Sequence, residues 1–259
     1  MFRDAQKFKP TVIALVPALA ELVLNFSKKT GVVLGGNLEY IVCGAASTPQ
    51  YLIEEYNKLG VVLMQGYGLT ESANFVSGNP KNLEKPSSAG LMMPNQEYKI
   101  VDGELWLRGD NMLIDYVDKD TDAYEHGWFK TGDLVKFDED NFLYICGRKK
   151  DVIVLANGEN ISPEEVEDKF NALDIVQASL VYEDIDEKGK HILALEVFLR
   201  KELIMQESEE QMKKFVMEKL KKVNSSLLSY QRVQKITIRD KDFERTPSLK
   251  IRRTGYDTR

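Results

Sequence analysis

The residues best suited to chemistry fall in short blocks. Gln65 to Ser72, QGYGLTES, sets Tyr67 between Gly66 and Gly68. Glycine permits close backbone approach, so the flat ring can be offered to an aromatic ligand. Thr70 adds a hydroxyl and Glu71 a carboxylate, which suit a phosphate and the magnesium that accompanies it. The plainer alternative is a strand-to-helix turn with Thr70 as cap and Glu71 in the first turn. Asp133 follows Thr131-Gly132. A carboxylate held after a glycine turn can accept two ribose hydroxyls, as an acidic residue does in dinucleotide sites; a turn cap is the alternative. Lys250, in TPSLKIRR, offers an ammonium that suits charge developing as a carboxylate attacks phosphorus. By charge alone it belongs to a basic tail. Gly44-Ala45-Ala46 reads as a tight turn of small residues. Arg148 reads as a surface ion-pair residue, Lys150 as a linker lysine, and Asn157-Gly158 as a hairpin turn.

Elements must place these groups. Thr11 to Val16 reads as a buried strand, and Pro17 opens a helix with Leu19, Val23 and Phe26 on one face. Glu39 to Cys43 is a strand ending at Gly44. A helix from Pro49 carries Leu52, Tyr56 and Leu59 and stops at Gly60. Val61 to Met64 is a third strand, leading into Gly66. Alternating strands and helices predict a parallel sheet, whose ligands sit beyond the strands' carboxyl ends. The Gly44 and Gly66 loops both leave such ends. From about residue 86 to 147 crossover helices disappear: Tyr98 to Val101, Glu104 to Arg108, and a hairpin of Leu134 to Phe137 with Phe142 to Cys146 predict a small antiparallel sheet or barrel.

A boundary is predicted near Gly147 to Asp151. Beyond it come a strand at Val152 to Leu155 and a helix capped by Ser162, with Pro163 first and Glu165 completing a capping box. An antiparallel pair, Val176 to Tyr182 and His191 to Leu199, follows. Then come an amphipathic helix over Glu207 to Val223, a strand at Ile236 to Ile238, and a basic, loop-like end from Phe243. The expected architecture is a partial parallel α/β sheet unit (about 1–85), a β-barrel-like segment (86–147) and a small C-terminal α+β domain (148–259).

Composition excludes several classes. A net charge of −6 argues against nucleic-acid binding. No apolar run is long enough to span a membrane, and no leader-like segment opens the chain. Two cysteines build no disulfide framework, so a cytoplasmic location is expected. Neither His126 nor His191 lies in a nucleophile motif, which leaves hydrolytic triads unsupported.

The stretch from His126 to Glu167, HGWFKTGDLVKFDEDNFLYICGRKKDVIVLANGENISPEEVE, joins several of these blocks. It resembles the hinge region of the adenylate-forming enzymes, the superfamily of acyl- and aryl-CoA synthetases, peptide-synthetase adenylation domains and luciferases. The resemblance runs from about Phe8 to Arg253 and is nearest the long-chain fatty acyl-CoA ligases. It implies that Tyr67 stacks on adenine, with Gly44, Ala45, Ala46, Gly66, Gly68 and Ile145 lining the AMP or ATP site. Thr70 would contact the α-phosphate and Glu71 would hold Mg2+. Asp133 and Arg148 would bind ribose, Lys150 would be the pivot of a rotating small domain, Gly158 would line the CoA tunnel, and Lys250 would assist adenylation. Leu249 stands where glycine is usual. The implied reaction joins a carboxylic acid, in this subgroup a fatty acid, to CoA at the expense of ATP. The superfamily's phosphate loop and the sheet half preceding Lys9 are missing from the sequence, so little activity is expected of this chain alone and a missing N-terminal half is an open reading. A non-catalytic nucleotide-binding or interaction module, and an adenylation domain serving a carrier protein, are the rival readings.

Overall fold

A computed structural model describes the chain except for residues 47, 74, 118–121, 156–157, 201–208, 247–249, 254 and 257–259. It divides into two compact units, Met1–Ile145 and Cys146–Arg259. The first opens with α1 (Phe2–Phe8), β1 (Val12–Leu15), α2 (Pro17–Thr30), β2 (Tyr40–Cys43), α3 (Gln50–Lys58) and β3 (Val62–Tyr67). The three strands pair in parallel, with Ile13 beside Ile41 and Ile41 beside Leu63. Alternate residues of a strand point to opposite faces, so this row meets α2 and α3 in one core with Val23, Leu24, Leu52 and Tyr56. The Tyr56 hydroxyl donates to the carbonyl of Ala20 at 2.6 Å, tying α3 to α2.

The other face carries the neighbouring row, Val12, Tyr40 and Val62, and these side chains are 54%, 44% and 48% exposed. β1 is therefore not the buried strand its all-apolar sequence suggests; only Leu15 is buried in it. The stripe of α2 also differs from expectation. Ala20, Val23, Leu24 and Ser27 are buried, while Leu19 and Phe26 are partly exposed and Phe26 meets the ring of Phe2. Leu59, expected to face inward, caps α3 and is exposed; Ile53 is buried instead. The helices have more apolar residues than one stripe holds, and the sheet selects the stripe.

β4 (Ser77–Gly78) and β5 (Leu91–Met92) extend this sheet by antiparallel pairing. The second sheet contains β6 (Glu97–Val101), β7 (Glu104–Arg108), β8 (Tyr124–Glu125), β9 (Trp128–Phe137) and β10 (Leu143–Arg148). Its order is β10-β9-β7-β6, with β8 on β9. β9 begins six residues before the expected Leu134. Glu104 pairs with Leu134 but Trp106 with Lys130, so the register shifts between them. Thr131-Gly132-Asp133 is consequently a bulge inside a strand, not a turn. Gly132 sits at φ 71°, a conformation glycine adopts without steric cost.

The second unit contains β11 (Ile153–Val154), β12 (Asn160–Ile161), α4 (Pro163–Asn171), β13 (Val176–Ile185), β14 (His191–Leu199), α5 (Glu209–Ser226) and β15 (Lys235–Arg239). β13 and β14 are antiparallel, and β15 joins β14 in parallel. Val166 and Phe170 of α4 and Val216 and Leu220 of α5 pack with Leu193, Leu195 and Val197 of β14. Pro163 is the first residue of α4, but Ser162 makes no side-chain cap. Its hydroxyl donates to the Cys146 carbonyl instead, which overturns the capping box. The segment from Phe243 is not a loose tail. Phe243 and Ile251 pack on Ala178 and Leu180 of β13, and Arg245 bridges Ile251 in antiparallel fashion.

Candidate active site

In the first unit the candidate groups converge at the carboxyl ends of β2 and β3. Cys43 pairs with Gln65, which brings the loops after them together. A Cβ on Gly44 would lie 3.0 Å from the Gly66 carbonyl oxygen. One on Gly66 would overlap the Phe75 ring at 2.4 Å. A side chain at Gly66 would displace the ring, and one at Gly44 would press on the neighbouring backbone. Ala45 holds φ 68°, a left-handed conformation that costs an L-residue roughly 1–2 kcal/mol. Ala46 beside it is exposed, and Gly68 follows Tyr67 at the end of β3.

Tyr67 meets Asp133 directly: the phenol donates to Oδ2 at 2.5 Å, joining residues 66 positions apart. The bulge sets the carboxylate. Glu104 Oε1 accepts from the Gly132 amide at 3.0 Å. The Thr131 hydroxyl donates to the Leu105 carbonyl at 2.6 Å and accepts from the Asp133 amide at 3.0 Å. Asp133 is only 4% exposed, so its orientation is fixed by packing as well as by hydrogen bonds.

Thr70–Ser72 forms a single 3₁₀ turn, not the start of a helix. Ser72 closes it: its hydroxyl accepts from the Leu69 amide and donates to the Leu69 carbonyl. Thr70 is left exposed. Glu71 accepts a hydrogen bond from the Tyr116 hydroxyl at 2.8 Å. Burial and the Glu71 carboxylate push that phenol up to about 12. Tyr116 escaped the sequence reading, since nothing in its spacing marks it; only the fold brings it to Glu71. Asn111, also missed, donates to the Ser72 carbonyl and to Gln96 Oε1.

The donor set suits a nucleotide with magnesium better than a protein-caged metal. No group of three His, Cys, Asp or Glu side chains forms a metal cluster among the described residues. Mg2+ commonly takes one or two carboxylates and completes its shell with phosphates and water, which Glu71 fits. Gln65 Oε1, near the end of β3, is buried without a hydrogen-bond partner among the described residues. Buried polar atoms are normally paired, so this one suits a polar ligand there.

Ile145 is exposed on β10 at the end of the first unit. The remaining candidates lie in the second. Arg148 ends β10, and Lys150 lies in the 3₁₀ turn Lys149–Asp151. Gly147 just before it has φ 139°, and a Cβ there would come within 2.0 Å of Ser162 Oγ. Gly158 (φ 84°) lies between β11 and β12 and donates its amide to the Leu155 carbonyl at 2.8 Å; Asn157 is outside the described residues. Lys250 is exposed on the C-terminal arm. The Lys250 amide meets the Thr246 hydroxyl at 3.2 Å, and its carbonyl accepts from the Thr246 amide at 2.8 Å. Leu249 lies outside the described residues.

Residues 1–117 match the sequence profile described as AMP-binding enzyme, and residues 150–258 match that of the AMP-binding enzyme C-terminal domain. The chain is 37% identical over 161 residues to a long-chain-fatty-acid–CoA ligase, FadD15, of Mycobacterium bovis, a match covering 61% of this chain and 27% of that protein. Among solved structures, the anthranilate CoA ligase AuaEII in complex with anthranoyl-AMP superposes with a TM-score of 0.79 at 22% identity, over 96% of this chain and 50% of that one. The o-succinylbenzoate CoA synthetase of Bacillus subtilis, in complex with ATP and a magnesium ion, superposes with a TM-score of 0.76 at 25% identity, over 98% of this chain and 53% of that one. The chain thus spans about half the length of these structures and about a quarter of the ligase.

Proposed function

Because the chain belongs to the family of AMP-binding enzymes, we propose that it supplies the AMP-holding part and the mobile C-terminal part of an AMP-forming acid–CoA ligase. The proposed reaction is attack of a carboxylate on the α-phosphorus of ATP, giving an acyl-adenylate and pyrophosphate. The CoA thiol then attacks the acyl carbon and releases AMP. The FadD15 similarity favours a fatty acid as the carboxylate, and a cytoplasmic setting is the matching proposal. Among the described residues no helix is long and apolar enough to cross a membrane.

The observation that carries this reading is the meeting of Tyr67 and Asp133 beside the Gly44 and Gly66 loops. In the proposed roles the Tyr67 ring stacks on adenine, and the glycine-lined backbone with Ala45, Ala46, Gly68 and Ile145 borders the nucleotide. Asp133 and Arg148 take the ribose hydroxyls, and Thr70 donates to the α-phosphate. Magnesium, held by Glu71 with the phosphates, would neutralise charge there. Lys250 stabilises the negative charge that grows as the carboxylate adds. Lys150 absorbs the backbone change of a domain rotation, after which the Gly158 turn lines the path of CoA.

Two measurements test this. Calorimetry should detect weak AMP binding to the 259-residue chain, lost in Tyr67→Ala and in Asp133→Ala; equal binding in all three proteins refutes the site. The chain alone should form little or no acyl-CoA from palmitate, ATP and CoA, because no phosphate loop is present in it to hold the β- and γ-phosphates. Turnover at the rate of ordinary synthetases, roughly 1 s⁻¹ or faster, refutes that expectation.

A further inference from the structure

Arg253 makes more ionic contacts in the second unit than its place in a basic tail suggests. Its Nη1 and Nη2 donate to Glu167 Oε1 at 2.9 Å and Oε2 at 2.7 Å. Nη2 also lies 3.4 Å from Glu164 Oε1, and Nε lies 4.0 Å from Asp151 Oδ2. Nη1 further approaches the Val181 carbonyl at 3.4 Å. Glu167 is 6% exposed and accepts a third hydrogen bond from the Val181 amide at 2.7 Å. One guanidinium therefore ties together α4, β13 and the 3₁₀ turn that contains Lys150. Burial pushes the Glu167 carboxyl up to about 7, against the pull of Arg253 and the Val181 amide. A carboxylate so placed depends on its guanidinium partner.

The arm is held on its other side too. Tyr256 donates to Glu196 at 3.2 Å and accepts from Arg239 Nη1 at 2.7 Å. On the N-terminal side of these anchors the arm closes on itself, with the Thr246 amide on the Lys250 carbonyl and the Arg252 amide on the Glu244 carbonyl, both at 2.8 Å. Lys250 stands three residues before Arg253.

We infer that Arg253, through its two-point grip on Glu167, is a positioning residue that locks the Lys250-bearing arm to α4 and to the Lys149–Asp151 turn, so that the lysine moves with this unit as one rigid piece. The purpose given to the lock rests on the proposed role of Lys250; the lock itself does not. Lysine could restore the charge but not the fork that meets both carboxylate oxygens.

Amide hydrogen exchange on the 259-residue chain tests it, read at Thr246 and Arg252 in the arm and at Leu195 and Val197 in β14. Local opening is reported by exchange at the amides it frees. Arg253→Met should speed exchange at Thr246 and Arg252 by about tenfold or more, while the β14 amides stay within about twofold. Arg253→Lys should recover part of the protection. Glu167→Gln, a milder isostere, should loosen the same two amides if Arg253→Met fails to fold. Unchanged arm exchange in the folded variants overturns the lock. So does an equal rise at all four amides, which would mark a general loss of stability. Lys250→Met should leave the exchange pattern untouched. Failure to bind AMP would count against the proposed function without altering these rates.

Discussion

Single residues at the candidate site are held by what their neighbours leave no room for. Gly147 illustrates the point. A side chain there would collide with Ser162 Oγ, and φ 139° is outside the range L-residues prefer. Gly147→Ala should therefore cost about 2–4 kcal/mol, combining overpacking with backbone strain, read as a lower midpoint in chemical unfolding of the second unit. Gly158, with open space around its Cβ position, should tolerate alanine better, limited to its positive φ. The Tyr67–Asp133 contact belongs to the same scale. The eight-residue motif around Tyr67 is legible in the sequence, but that its phenol reaches Asp133 is not.

At the scale of elements, the β9–β10 connection is pinned by charge. Lys85 Nζ reaches Asp138 Oδ2 at 2.6 Å and Asp140 Oδ2 at 2.7 Å, and it lies over the Phe142 ring at 4.5 Å. The Lys85 hydrogen bond, helped by the Phe142 amide and the Tyr144 hydroxyl, holds the Asp138 carboxyl down to about 2. A carboxyl depressed in the folded state stabilises above its unfolded value, near 4, and loses that contribution as pH falls towards 2. Thermal unfolding followed from pH 5 to pH 2 should show a steeper loss for the wild type than for Asp138→Asn. Parallel curves would remove the pair from the account. The effect should be modest, since both side chains are partly exposed and water screens them.

At the scale of the molecule, the parallel sheet of the first unit is covered by helices on one face only. Parallel sheets normally bury both faces, and the row Val12, Tyr40 and Val62 is half exposed. Replacing all three by threonine should lower binding of a hydrophobic dye while changing unfolding free energy by about 1 kcal/mol or less, since threonine keeps strand propensity. Ile41→Thr, one residue along on the covered face and fully buried, should cost about 2 kcal/mol or more, because its hydroxyl is buried. Equal effects of the two changes would mean that the faces are not distinguished in solution.

The sequence by itself determined much of this protein. Strand–helix alternation up to Gly60, the loss of crossover helices between about residues 86 and 147, and the blocks QGYGLTES, TGD and GRKKD carried the fold class and the family. These are local signals: turn glycines, periodic apolar residues and short motifs whose meaning lies in adjacent positions. Only the tertiary structure decided which stripe of α2 is buried, that β1 has an open face, that Thr131–Asp133 is a bulge and that Ser162 serves Cys146 rather than α4. It alone brought Tyr116 to Glu71 and Arg253 to Glu167, 86 residues away. Such choices depend on which surfaces meet and on which buried polar groups must find partners across the chain, and a linear pattern carries no record of either.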